Sequence, residues 1–208
     1  MKGRTDAVPT IESPFDTEHN NANSSTRQLI TEVNRRFIHW LIDDDASRNF
    51  PHVTAILRAA PVGALNALIS QCPFLLCGLR FDDAVGWRRL QQSIATVRII
   101  ELPQDMDVAS LAHASLLVAW HLVKRWPIEG PMLIGANLDV ANILGTLSAF
   151  SLCQVTLGYH RWLSPRLSTR ADLWQQLTRL AAENSSASSA LSDRMAELLS
   201  AAILTATR

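Results

Sequence analysis

The chain carries no excess of charge of either sign: Lys and Arg number 19 and Asp and Glu number 19 among 208 residues, so the formal net charge is zero. No overall field draws it to a polyanion or an anionic membrane, and direct nucleic-acid binding would need a local patch. Cysteine is scarce. Cys72, Cys77 and Cys153 form an odd and sparse set, which excludes a disulfide framework and reads as reduced thiols in a cytoplasmic protein. Glycine is scarce as well, and its eight residues make neither a Gly-x-Gly-x-x-Gly turn nor a phosphate-cradling lysine loop. Residues 1–23 lack the apolar stretch a signal peptide requires and carry Asp6, Glu12, Asp16 and Glu18 instead. The most apolar run, 132–158, is interrupted by Asn137, Asp139, Asn142 and Gln154, so it reads as buried helix rather than as a membrane span.

What remains is a composition that folds: 48% hydrophobic and 18% charged residues, in a chain long enough for one large domain or two small ones. Residues 1–25, with Pro9, Pro14 and a polar run from His19 to Ser25, read as a flexible arm. From Thr26 the apolar spacing turns helical through Leu29, Ile30, Val33, Phe37, Trp40 and Leu41. A second helix runs from about His52 to Ala60, and Pro61 and Gly63 separate it from a third over 64–71. Residues 94–102 are rich in β-branched side chains and form the best strand candidate, with no mate in sight. Further helices are predicted over 107–126, 138–150, 151–159, 171–182 and 189–205. The expected architecture is an all-α multi-helix bundle. It divides into one half over 26–103 and another over 104–208, or forms one continuous domain.

Few constellations carry chemistry. Asp43-Asp44-Asp45 and Asp82-Asp83 lack the third acid, four positions on, that a magnesium-binding acidic box needs. No two of Cys72, Cys77, Cys153, His113 and His121 have zinc-ligand spacing, and no cofactor is implied. Apolar surroundings leave Cys77 and Cys153 unprepared as nucleophiles beside His121 or His160. A helix-turn-helix drawn over 52–71 offers Asn66, Ser70 and Gln71 to bases but no cation to phosphates. The basic cluster is Arg80, Arg88, Arg89 and Arg98, flanked by Trp87.

Two stretches share an order of features. Residues 58–90 hold a kinked apolar helix, then Leu76-Cys77-Gly78-Leu79-Arg80-Phe81-Asp82, then Trp87 and Leu90. Residues 132–177 hold Ile134-Gly135-Ala136-Asn137, an apolar helix over 141–147, then Arg166-Leu167-Ser168, Trp174 and Leu177. Pairing Arg80 with Arg166 makes the second copy longer, so a duplication would require a deletion in the first. Both stretches resemble the helical subunit of the flagellar master transcription activator, the FlhD family. In that family a Leu-Gly-x-Asn turn leads into an Ala/Leu-rich helix pair and ends in an Arg-Phe-Asp segment. The first copy lacks the Gly-x-Asn turn and the second lacks Arg-Phe-Asp. The resemblance implies a self-associating helical regulator that acts through protein partners, with a second subunit making most of the DNA contact.

The reading is therefore a non-catalytic interaction and regulatory module, a homodimer with a further protein partner. Its expected contact is the C-terminal stripe Leu191, Met195, Leu198 and Ala202, with Trp162 and Trp174 as second choice, since tryptophan dominates binding hot spots. The alternative is a small helical enzyme or apolar-ligand binder with a pocket near His121 or His160.

Overall fold

Helix formation starts earlier than the apolar spacing requires. The computed structural model describes residues 14–43, 46–94, 106–156, 160–183 and 188–206, with side chains described over 24–43, 48–92, 107–152, 161–183 and 190–201. Helix α1 spans Pro14–Asp43, so the second part of the segment assigned to the arm is helical. Proline is favourable at a first helical position because its missing N–H would be unsatisfied there anyway.

Proline then punctuates the next elements. After the single turn α2 (Ala46–Asn49), α3 (Pro51–Ala59) again begins on proline. Ala60 leaves the helix with ψ 141°, as expected before Pro61, and α4 (Val62–Gln71) follows at 114° to α3. Cys72 leaves α4 with ψ 118° ahead of Pro73, and residues 73–76, neither helix nor strand and bent at Phe74 and Leu76, lead into strand β1 (Cys77–Leu79). Helix α5 (Ala84–Ile94) completes this set.

The second half repeats the order. Helix α6 (Met106–Arg125) is followed by α7 (Glu129–Ile134), α8 (Leu138–Thr146) and α9 (Ala149–Thr156), then a 3-10 turn, His160–Trp162, and strand β2 (Leu163–Pro165). Helices α10 (Ala171–Glu183) and α11 (Ser188–Ala206) end the described chain. The apolar run over 132–158 is thus cut into three helices, and no single described helix is long and apolar enough to cross a membrane.

The all-α expectation holds, with one addition. A two-stranded antiparallel sheet pairs β1 with β2 in the register Cys77↔Pro165, Gly78↔Ser164 and Leu79↔Leu163. These strands lie where no strand was expected, and the expected one falls elsewhere: Ile94 ends α5, and 95–102 lies outside the described residues. The two halves do not separate. Helix α10 of the second half packs on α3 and α4 of the first, α5 of the first packs on α8 and α9 of the second, and α1 packs on α6. Their buried side chains form one core that runs from Ile30 to Leu199.

One buried polar residue organises the centre. Asn34, on the core face of α1, is fully buried; its amide nitrogen donates to the Phe74 carbonyl at 2.9 Å, and its amide oxygen accepts from the Leu76 N–H at 2.9 Å. Leu75 N–H donates to the Leu133 carbonyl of α7, and Arg166 N–H to the Leu76 carbonyl. This irregular segment is thereby tied to both halves at once. Asn34→Ala leaves the buried Leu76 N–H unpaired and the Phe74 carbonyl with only the weak Cys72 Sγ–H donor, which costs about 2–4 kcal/mol. Urea denaturation should show this loss, while the exposed Asn66→Ala should stay within about 0.5 kcal/mol of the parent.

Candidate functional site

The turn between β1 and α5 carries the densest set of tertiary bonds near the predicted site residues. Arg80 adopts φ 50°, a left-handed conformation that costs a non-glycine residue roughly 1 kcal/mol. The turn is held because its carbonyls are occupied. Trp87 Nε1 donates to the Leu79 and Arg80 carbonyls at 3.2 and 3.1 Å, and Asp83 N–H donates to the Arg80 carbonyl. Asn137 then reaches across from the other half: its N–H donates to the Phe81 carbonyl and its side-chain nitrogen to the Asp82 carbonyl at 2.8 Å. The same side chain accepts from Val140 N–H and caps α8. The Gly-x-Asn turn of one stretch thus sits hydrogen-bonded against the Arg-Phe-Asp segment of the other.

Aromatic rings back this turn. Phe81 stacks on Trp87 at 5.9 Å between centroids, Trp162 meets Trp87 edge-on at 6.0 Å, and the Arg80 guanidinium lies 5.3 Å over Trp162. Gly86 permits the close approach: a Cβ there would meet the Asp83 carboxylate and the Trp162 ring.

The predicted basic cluster is only partly assembled. Arg88 and Arg89 are exposed on α5 and share one helical face with Val85, at steps of three and four residues. Arg88 pairs with Asp139 of α8, which follows Leu138. Val85 is 55% exposed and Leu138 74% exposed, so two apolar side chains flank this ion pair. Trp87, expected beside the arginines, is wholly buried behind them, and Arg98 lies outside the described residues.

The expected contact surface is largely consumed inside the chain. Leu191 and Met195 are fully buried and Leu198 partly so, because α11 lays this stripe against α10 and α4. The side chain of Ala202 is outside the described residues. Trp174 is buried, its Nε1 donating to the Arg166 carbonyl at 3.0 Å, and Trp162 is half-buried under Arg80. Amphipathic periodicity marks a face to be covered without saying by what.

His121 is exposed on α6, and the side chain of His160 is outside the described residues. Two shallow grooves flank Arg27 of α1. One, of about 710 Å³, is lined by Gln28, Thr31, Arg35 and Ser70; the other, of about 380 Å³, by Ile30, Pro73, Trp126 and Glu129. Arg27 itself bonds to Gln71 and Ser192 at 2.8 Å each, which also occupies one of the polar groups considered for base reading. Among the described residues no group of three or more His, Cys, Asp and Glu could hold a metal ion.

Arg166 closes the back of the junction. Its guanidinium donates to the Met132 and Leu133 carbonyls at the end of α7 and lies 5.2 Å over Phe74, and desolvation pulls its pKa down to about 10. Gly135, at φ 73°, leaves room for it. Cys72 and Cys77 lie in this region, and burial pushes their thiols up to about 12 and about 11 from an ordinary 9.0. Cys77 Sγ is 3.3 Å from Ser115 Oγ.

The folded state therefore holds two protons that the unfolded chain releases above pH 9.0. Their contribution is complete below pH 9.0 and is lost as pH rises through about 11 for Cys77 and about 12 for Cys72, so the denaturant midpoint should fall over that window. Cys72→Ala and Cys77→Ala should each flatten the fall. In the native protein both thiols should ignore a thiol reagent at neutral pH and react only after unfolding, as mass mapping of the labelled cysteines would read.

No family model, curated protein or solved structure matches this chain.

Proposed function

We propose that the chain is a non-catalytic interaction and regulatory module that engages a protein partner through the face formed by α5 and α8. The observation that carries this reading is the chemistry of that face. Val85 and Leu138 expose apolar side chains beside Arg88, Arg89 and Asp139, on elements whose backbone is tied down by Asn137, Trp87 and Asp83. Arginine is enriched in binding hot spots, the exposed apolar side chains beside it add area to be covered, and a pre-organised frame loses little ordering entropy on association.

A role as a transcription-regulator subunit that acts through partners follows the resemblance to the FlhD family. The contact between the Gly-x-Asn turn and the Arg-Phe-Asp segment supports that resemblance, because the two motif fragments complement one another in space. Self-association is also carried by the resemblance, but the stripe Leu191 and Met195 has no surface to offer. In this reading a second copy uses the same α5–α8 face.

A photo-crosslinking amino acid at Val85 or Leu138, in cells that make the protein, should give an adduct of one defined mass. Arg89→Glu should reduce that adduct at least tenfold. The same label at Asp172 or Pro51, exposed on α10 and α3, should give none. An adduct between two copies of the chain would identify the homodimer; equal labelling at all four positions would overturn the face.

A further inference from the structure

We infer that the chain is two copies of one helical unit fused head to tail, arranged about an internal two-fold axis with their last helices exchanged. One polypeptide thereby carries the symmetry of a homodimer. Three helix starts keep one spacing. Helix α8 (Leu138–Thr146) begins and ends 87 positions after α3 (Pro51–Ala59), and α9 and α10 begin 87 positions after α4 and α5. No gap is required. The pairing of Arg80 with Arg166 suggested by the sequence is one residue out of register: the left-handed residues are Arg80 (φ 50°) and Leu167 (φ 55°), again 87 apart.

The equivalent positions do equivalent work. Val53 and Val140, Ile56 and Ile143, and Leu57 and Leu144 are identical pairs, and Val53, Val140, Leu57 and Leu144 are each at most 1% exposed. Trp87 and Trp174 are both buried, and each indole N–H donates to the carbonyl eight residues earlier. The break after α3 and that after α8 share one geometry, with Ala60 at φ −74°, ψ 141° and Leu147 at φ −68°, ψ 142°. The chemistry of the break has diverged. Pro61 opens α4, whereas Ser148 Oγ accepts from Ser151 N–H at the start of α9.

The sheet identifies the operation as a rotation rather than a translation. Cys77 pairs with Pro165, and Gly78 with Ser164. At an offset of 87 Pro165 is the counterpart of Gly78, and Ser164 that of Cys77, so the register maps onto itself when the halves are interchanged. A two-fold axis passing between these pairs does this. The helix packing agrees: α10 lies on α3 and α4, and α5 on α8 and α9.

Equivalence also exposes difference. At the counterparts of Val85, Arg88, Arg89 and Leu138 stand Asp172, Gln175, Gln176 and Pro51. The symmetric frame thus presents the face proposed above on one side only, which gives a single partner site per chain. That last clause alone rests on the proposed function.

Distances between spin labels test the symmetry without a partner. Labels would be introduced as unnatural amino acids at exposed helical positions of the full chain, leaving the cysteines in place. A two-fold axis requires the Ala55–Gln176 distance to equal the Asn142–Arg89 distance, and Val62–Gln176 to equal Ala149–Arg89. Pulsed electron spin resonance should give means that agree within about 6 Å in both comparisons, allowing for label length. A larger difference in either would overturn the internal axis. That outcome would leave the crosslinking result standing, so failure of the symmetry and failure of the partner face are distinguishable.

Discussion

The fold depends on satisfying the buried main chain of residues 74–76. An irregular segment inside a helical protein brings N–H and C=O groups that no helix pairs, and each left bare costs about 1–3 kcal/mol. Here they are met from three directions: Asn34 takes Phe74 and Leu76, Leu133 takes Leu75, and Arg166 takes the Leu76 carbonyl. Because these partners come from α1, from α7 and from the residue that follows β2, neither half can complete the segment alone. The exchange of α5 and α10 between halves is the packing counterpart of the same constraint.

Much of the helical frame was legible from proline placement and apolar spacing. The limits expected near His52, Ala60 and Gln71 fall at α3 and α4, and those of α6, α10 and α11 within a residue or two of the pattern. The strands were not legible. Three residues, Cys77-Gly78-Leu79 or Leu163-Ser164-Pro165, are too short for an alternating pattern, and β-branched density over 94–102 drew attention elsewhere. Asn34 left a faint signal: a polar side chain on an apolar helix stripe must be either bonded or costly.

The site was half legible. Arg88 and Arg89 were placed together, but the tryptophans were misassigned, because a tryptophan that can bond its N–H internally is as content in a core as at an interface. Trp87 and Trp174 find main-chain carbonyls and vanish from the surface; Val85 and Leu138, unremarkable in sequence, take their place. The stripe on α11 met the same fate, covered by α10 and α4 within the chain.

Native-state hydrogen exchange tests the central constraint most directly. If residues 74–76 tie the halves together, the amides of Leu75, Leu76 and Arg166 exchange only through global unfolding. Their exchange would then share the free energy and denaturant dependence of amides at the centres of α1 and α10. Exchange of these three through local opening, several kcal/mol below that of the helices, would contradict the account.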